Sequence, residues 1–168
     1  MRTPAGSSRT LWIAALAAAT VGIGSSASAA SLPLREPPAH IAVAVGPRLE
    51  ARARHGDARA AAELGFAYEY GYGVPQDYAL AVFWYRRAAW HGDATGQYLL
   101  GLMYDRGQGV PEDTVAAQKW LILAVANTRG PKRDEYARIR DAVASKMTVE
   151  EIARAQALAE AWSRQHRR

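Results

Sequence analysis

Residues 55–90 read HGDARAAAELGFAYEYGYGVPQDYALAVFWYRRAAW, and residues 91–126 read HGDATGQYLLGLMYDRGQGVPEDTVAAQKWLILAVA. The second stretch repeats the first at a constant offset of 36 residues, as from Gly56 to Gly92 and from Trp84 to Trp120. Agreement at one offset over more than a dozen positions is far beyond chance. A tandem repeat of this period is typical of a solenoid, in which one unit buries its apolar face only by stacking on a neighbour.

The first half of each unit predicts a helix, which we call helix A. Asp57 and Asp93 follow a glycine and precede a helical run, where a carboxylate oxygen can accept hydrogen bonds from the free N–H groups of the first turn. Gly65 and Gly101 recur inside helix A, although a glycine costs about 1 kcal/mol there relative to alanine. We therefore expect two helices to cross closely at each of these glycines.

The second half of each unit predicts a hairpin turn and a second helix, helix B. The turn is Gly-x-Gly-Val-Pro at residues 71–75 and 107–111, and Asp77 or Asp113 opens helix B. Small and large residues alternate along one face of helix B, which we expect to be buried. Its residues are Ala81, Trp84, Tyr85, Ala88 and Ala89 in the first unit and Ala117, Trp120, Leu121, Ala124 and Val125 in the second.

The segments on either side predict partial units that cap the stack. Pro47 can occupy the first turn of a helix that runs to about Arg54, in register with a second helix of an earlier unit. After a predicted helix at residues 132–145, Thr148 and Glu151 form a capping box that opens a last helix. The apolar residues of this last helix recur at steps of three and four and should close the stack: Val149, Ile152, Ala155, Ala159 and Trp162.

The N-terminal residues have the composition of a secretory signal peptide. Arg2 and Arg9 precede an apolar run at residues 11–23, and Ala27-Ser28-Ala29 offers small residues to signal peptidase. We predict cleavage after Ala29, with Ala30 as the second choice, through the general export route because the arginines are not paired. An uncleaved anchor is the competing interpretation, but the run is shorter than the roughly 20 apolar residues of a membrane span. The expected location is periplasmic or secreted, without stable membrane insertion after cleavage.

The predicted organisation has five parts. They are a signal peptide at residues 1–29, a flexible lead-in at 30–46, a helical repeat domain at 47–128, C-terminal capping helices at 129–165 and a solvated basic tail at 166–168.

Composition excludes several classes of function. The chain has 21 basic and 16 acidic residues, too slight a surplus, once the arginines near both ends are set aside, to predict a nucleic-acid-binding face. It has no cysteine, which excludes disulfides, thiolate zinc sites and cysteine nucleophiles. His55 and His91 sit at predicted helix ends, where they suit a capping role better than a metal site. No nucleophile or metal motif is present, so we predict no catalytic residue, no cofactor, no metal and no enzyme activity.

The recurring residues Leu-Gly-x-x-Tyr, Gly-x-Gly-Val-Pro-x-Asp and Ala-x-x-Trp resemble the Sel-one-like repeat family, relatives of the tetratricopeptide repeats, over residues 57–127. The resemblance implies an all-α fold: a right-handed α-solenoid of antiparallel helix pairs, here with two repeats of 36 residues. It also implies a scaffold that binds other proteins, often in bacterial envelope signalling, stress response or host contact. A minority of the family resembles β-lactamase-like proteins, but those members typically carry a cysteine pair in each unit.

Helix B of the first unit offers one candidate surface for a protein partner. Phe83 and Trp90 lie seven residues apart, with Arg86 and Arg87 alongside, whereas the second unit has lysine and alanine where the first has its two aromatics. Aromatic and arginine side chains together are favoured at the centre of protein interfaces. The hypothesis is that this stripe binds a partner or a second copy. The alternative is that the aromatics pack on residues 41–45 of the same chain.

Helix A offers a second candidate surface, on the side that is normally concave in such solenoids. Its residues are Glu63, Phe66, Tyr70, Leu99, Leu102 and Arg106. Some of the apolar ones are alternatively part of the core between the units.

The sequence therefore predicts an exported scaffold, adaptor or regulator of envelope signalling with unidentified protein partners, and it also allows a weak homodimer. Two alternatives stay open: a hydrolase that acts on cell-wall material or β-lactams, and a structural subunit of an envelope complex.

Overall fold

A computed structural model describes residues 45–166, and all the regular structure in that range is helical. The predictions for residues 1–44 and for the last two residues of the tail lie outside the described residues. Seven helices follow one another: α1 Pro47–Arg54, α2 Ala58–Tyr70, α3 Tyr78–Trp90, α4 Ala94–Arg106, α5 Thr114–Asn127, α6 Pro131–Ala144 and α7 Val149–Gln165. The predicted all-α fold is confirmed, with α2–α3 and α4–α5 as the two repeat units.

Capping side chains start these helices where the sequence places them. In α2 to α5 the N-cap is an aspartate whose Oδ1 accepts from the backbone N–H three residues later, at 2.6–3.0 Å. The four residues are Asp57, Asp77, Asp93 and Asp113. At α7, Glu151 N donates to Thr148 Oγ1 at 3.2 Å, and Thr148 N donates to Glu151 Oε2 at 2.9 Å. The predicted capping box is therefore confirmed.

Helices A and B of each unit cross at the predicted glycines. A Cβ on Gly65 would lie 2.6 Å from Cδ1 of Tyr85, and one on Gly101 would lie 2.9 Å from Cγ of Leu121. Neither site has room for a methyl group, so glycine is what allows the two helices of each hairpin to approach. The predicted close crossings are confirmed.

The helix pairs stack in chain order and share their core. The first unit packs through α3 on α4 of the second unit, and α5 then packs on both α6 and α7. Every residue predicted to line the buried face of helix B is buried. One apolar cluster runs from the first unit through the second to the last helix and includes Phe66, Tyr85, Leu100, Trp120 and Trp162. This stacking of helix pairs is the architecture of an α-solenoid.

The end of the stack departs from the sequence prediction in two places. Ala155, Ala159 and Trp162 are buried, but Val149 is 77 % exposed, so its assignment to the closing face is wrong. The first two steps of the pattern, from Val149 to Ala155, are of three residues, which is less than the helical turn of about 3.6 residues. Val149 therefore lies off the side of the helix that carries Ala155, Ala159 and Trp162. His166 does not extend into solvent either, because its ring stacks on Trp162 at 4.2 Å and its Nδ1 lies 2.9 Å from Trp162 O.

Candidate protein-binding surface

Helix α3 carries three large apolar side chains that the described part of the protein leaves partly uncovered. Leu80, Phe83 and Trp90 are 40 %, 48 % and 56 % exposed. Their spacings of three and seven residues place them on one side of the helix. We call these three residues the α3 stripe. The sequence pointed to Phe83 and Trp90 and missed Leu80, although comparing the two units would have found it, because alanine occupies the matching position, 116.

The core fixes which side of α3 carries the stripe. Ala81, Tyr85 and Ala88 are fully buried on the other side of the helix. The Tyr85 ring lies against Gly65 of α2, so α3 cannot rotate without losing the close crossing. The stripe therefore faces away from the helix with which α3 pairs.

The two arginines beside the stripe are held in place by neighbouring helices. Arg86 Nη2 donates to the Tyr104 hydroxyl at 3.2 Å, and Arg87 Nη2 donates to Arg54 O at 3.0 Å. Arg87 also places its guanidinium 5.6 Å from the ring centre of Trp84. Neither Arg86 nor Arg87 forms an ion pair with a carboxylate among residues 45–166. Two positive charges thus border the stripe, and within the described range no carboxylate pairs with either of them.

The C-terminal end of the stripe touches α7. The Trp90 ring meets His166 edge-on at 5.1 Å, and His166 in turn stacks on Trp162. The alternative packing of the aromatics on residues 41–45 falls largely outside the described residues. Val45, which is described, lies beside Gly73 in the turn before α3. Within the described range, the aromatic partner of Trp90 is therefore His166, the residue directly after α7.

The candidate surface on helix A is mostly closed by packing. Phe66 belongs to the core, and its ring lies 4.5 Å from Tyr70 and 5.9 Å from Tyr72. Leu99 and Leu102 are half-buried against the core clusters. Glu63 is half-buried and accepts from Arg59 at 3.2 Å. Of the six residues proposed, Arg106 alone is exposed, so no apolar residue of this surface is as exposed as those of the α3 stripe.

A buried carboxylate in α2 was not anticipated from the sequence. Glu69 is 5 % exposed and accepts from the Tyr85 hydroxyl at 2.6 Å, while Arg106 Nη1 lies 4.0 Å from its other oxygen. Burial raises the pKa of Glu69 above its ordinary value, and the Tyr85 hydrogen bond and the Arg106 charge only partly oppose the rise. The second unit has Asp105 and a leucine at the matching positions, so this pair is specific to the first unit. A comparison of the two units could again have identified this pair from the sequence.

Two clefts among the described residues lie beside the C-terminal helices. One groove of about 300 Å³ lies between α5 and α7, lined by Ile122, Leu123 and Ala126 on one side and Gln156, Ala159 and Glu160 on the other. Across residues 45–166, no group of three histidine, aspartate or glutamate side chains is placed to hold a metal ion. The same range contains no helix long and apolar enough to cross a bilayer.

Stacked helix pairs with recurring cap aspartates and crossing glycines define an α-solenoid repeat protein. The chain belongs to the Sel1 repeat family, whose model matches residues 58–93 and 94–127. Sel1 repeat proteins generally mediate protein–protein interactions, and their fold is typically a non-catalytic scaffold.

Two solved structures are similar to this chain. One is c5321, a protective antigen present in uropathogenic Escherichia coli strains that displays an SLR fold, with 30% identity, a TM-score of 0.64 and coverage of 70% of this chain. The chain spans about a quarter of the length of that antigen (25%). The other is a Sel1 repeat protein from Oxalobacter formigenes, with 40% identity, a TM-score of 0.50 and coverage of 55% of this chain and 68% of the relative. No curated protein gives a significant match.

Proposed function

We propose that this protein is an exported adaptor that binds a partner protein through the α3 stripe and regulates signalling in the bacterial envelope. The observation that carries the proposal is the exposed Phe83 and Trp90 beside Arg86 and Arg87 on a helix that the core holds rigidly. Tryptophan and arginine are enriched among the residues that contribute most to binding energy in protein interfaces. A rigid helix loses little conformational entropy when it binds, which favours affinity.

Export is supported by the residues at the N-terminus. A basic start, an apolar run and Ala-Ser-Ala fit a cleaved signal peptide at residues 1–29. The similar structure c5321 is a protective antigen, and that property of a relative favours a place outside the cytoplasm for this chain as well.

A hydrolase is the rival proposal, and the carboxyl groups with raised pKa do not favour it. Burial raises the pKa of Glu69 and of Asp93. Glu69 is covered by Tyr85, and Asp93 accepts from Gly96 N at 2.6 Å as the cap of α4. Both groups therefore hold helices in place, and neither faces a cleft that would admit a cell-wall glycan or a β-lactam. A permanent structural subunit is the other rival, and it predicts a stable oligomer of the isolated chain.

Fractionation combined with site-specific cross-linking tests the proposal. The full chain, expressed in its host, should be recovered from the periplasmic fraction with a mass that lacks residues 1–29. A photoactivatable benzoyl-phenylalanine at position 83 should cross-link to a partner protein, whereas the same group at position 158 should not. Leu158 is a matched control because it is another exposed large apolar residue, on α7.

Three results would contradict the proposal. They are an unprocessed chain in the cytoplasmic fraction, equal cross-linking from positions 83 and 158, and turnover of peptidoglycan or a chromogenic β-lactam by the purified mature protein.

A further inference from the structure

In the second unit, a helix from outside the two repeats docks on helix B. Helix α7 packs on α5 through Ala155, Ala159 and Trp162, and the Trp162 ring meets Trp120 edge-on at 5.9 Å. Small residues let the two helix backbones approach, and the indole fills the remaining gap. The side of α5 that meets α7 is therefore a surface that accepts an amphipathic helix.

Of the matching positions one unit earlier, two are exposed and one is half-buried. In α5 the residues that line the groove beside α7 are Ile122, Leu123 and Ala126. Moving back by the 36-residue period gives Arg86, Arg87 and Trp90 of α3. Helix B of the first unit thus keeps the docking position but presents two arginines and a tryptophan there, with Phe83 and Leu80 continuing the apolar stripe.

We infer that the α3 stripe is the docking site for an acidic amphipathic helix of a partner protein, which lies on α3 as α7 lies on α5. The inference rests on the proposed function and adds the chemistry of the partner. Apolar side chains of such a helix at spacings of three and four would cover Leu80, Phe83 and Trp90. Carboxylates on its flank would meet Arg86 and Arg87, which have no carboxylate partner among residues 45–166.

Charge and composition also disfavour two other occupants. A second copy of the chain, joined stripe to stripe, would bring its own Arg86 and Arg87 against this pair, and like charges oppose association. Residues 31–44 of the same chain contain three prolines and a single acidic residue, Glu36, so their sequence fits neither a helix nor an acidic one.

The test uses the mature chain and two synthetic helical peptides of about 18 residues, or about five turns. Both peptides carry leucines at spacings of three and four, and they differ only in having glutamate or lysine beside that row. Fluorescence anisotropy at about 50 mM and about 500 mM salt separates the apolar from the charged contribution, because salt screens exposed charges. The protein variants are Phe83→Gln with Trp90→Ala, Arg86→Gln with Arg87→Gln, and the control Val149→Ala with Leu158→Ala.

The acidic peptide should bind the unchanged protein and the control variant at least about tenfold more tightly than the basic peptide at low salt. The Phe83 and Trp90 variant should lose at least about tenfold in affinity for the acidic peptide, the loss expected for a tryptophan at the centre of an interface. The Arg86 and Arg87 variant should bind both peptides equally. Hydrogen exchange should show new protection in α3, and circular dichroism should show that every variant folds.

Each contrary result points to a different fault. Equal affinity of the two peptides for the unchanged protein, or no binding of either, overturns the inference, and protection on α2 and α4 would move the binding site to helix A. Self-association that Phe83→Gln with Trp90→Ala abolishes would identify a second copy as the occupant. Peptide binding that appears only after deletion of residues 31–44 would identify that segment as the occupant of the α3 stripe. In all these cases a partner captured by cross-linking in cells would still support the adaptor function, so the two failures are distinguishable.

Discussion

Replacement of Tyr85 by phenylalanine tests whether the buried pair in the first unit stabilises the fold. Tyr85 is fully buried, and its hydroxyl donates to Glu69 Oε2 at 2.6 Å. The substitution keeps the ring that packs on Gly65 and removes only the hydroxyl. A hydrogen bond to a charged group contributes about 1.5–3 kcal/mol, and Arg106 at 4.0 Å is too far to replace it, so we expect a loss of that size near neutral pH.

The loss should depend on pH because the acceptor titrates. Burial raises the pKa of Glu69 above its ordinary value of 4.5, so the folded chain holds this proton more tightly than the unfolded chain does. The contribution of Glu69 to stability is therefore complete below the ordinary value and is lost as the pH rises through the raised folded value. The Tyr85 hydroxyl opposes that loss by favouring the carboxylate. Without it the folded pKa rises further, and the stability difference between the two proteins grows from acid to neutral pH.

Urea unfolding followed by tryptophan fluorescence at about pH 4 and about pH 7.5 measures the loss below the ordinary pKa of Glu69 and well above it. At the lower pH the acceptor is a neutral carboxyl, and the loss should fall to about 0.5–1.5 kcal/mol. The same substitution made in a Glu69→Gln background is the matched control, since the amide cannot ionise and the loss should then be the same at both pH values.

Two outcomes would refute this reasoning. One is a Tyr85→Phe loss that stays constant between the two pH values while Glu69 is present. The other is a loss below about 0.5 kcal/mol at neutral pH, which would mean that the hydroxyl makes no net contribution beyond its interaction with water.

Three further substitutions test the packing at other levels. Gly65→Ala should destabilise the fold by about 1 kcal/mol in urea unfolding, because overpacking against Tyr85 costs about 1–3 kcal/mol and exceeds the helix-propensity gain of about 1 kcal/mol. A stabilised variant would show that the two helices can move apart at no cost. Thr148→Ala removes half of the capping box and should cost about 1 kcal/mol, and an unchanged midpoint would mean that α7 needs no cap. Trp162→Ala should cost about 3–5 kcal/mol, and hydrogen exchange should show α7 losing protection before α2 and α3; uniform loss would contradict separate docking of α7.

Local sequence signals predicted the helices and their pairing. The cap aspartates, the turn motif and the apolar faces each depend on residues a few positions apart, and their recurrence at one offset leaves little freedom in where helices begin and end. Gly65 and Gly101 could be assigned to helix crossings for the same reason. A glycine kept at one place in two helices implies a backbone that approaches it.

The candidate site was predicted only in part. Phe83 and Trp90 differ from the matching residues of the second unit, and that difference identified them in the sequence. Leu80 also differs from its matching residue but was overlooked. Phe66 had the spacing of a surface residue but lies in the core, where Tyr70 and Tyr72 pack against its ring.

The sequence by itself determined that helix pairs stack at a fixed period, because the signals for caps, turns and close crossings are local and recur together. The tertiary structure alone decided which sides of those helices are covered. In the folded protein Glu69 is buried beneath Tyr85, Val149 is exposed and His166 stacks on Trp162. Each of these outcomes depends on which other side chains pack against the residue, and a local sequence pattern does not show that. The tertiary structure also covered α5 with α7 and left Phe83 and Trp90 of α3 exposed, and that difference between two units of the same architecture is the basis for proposing α3 as the surface for a partner.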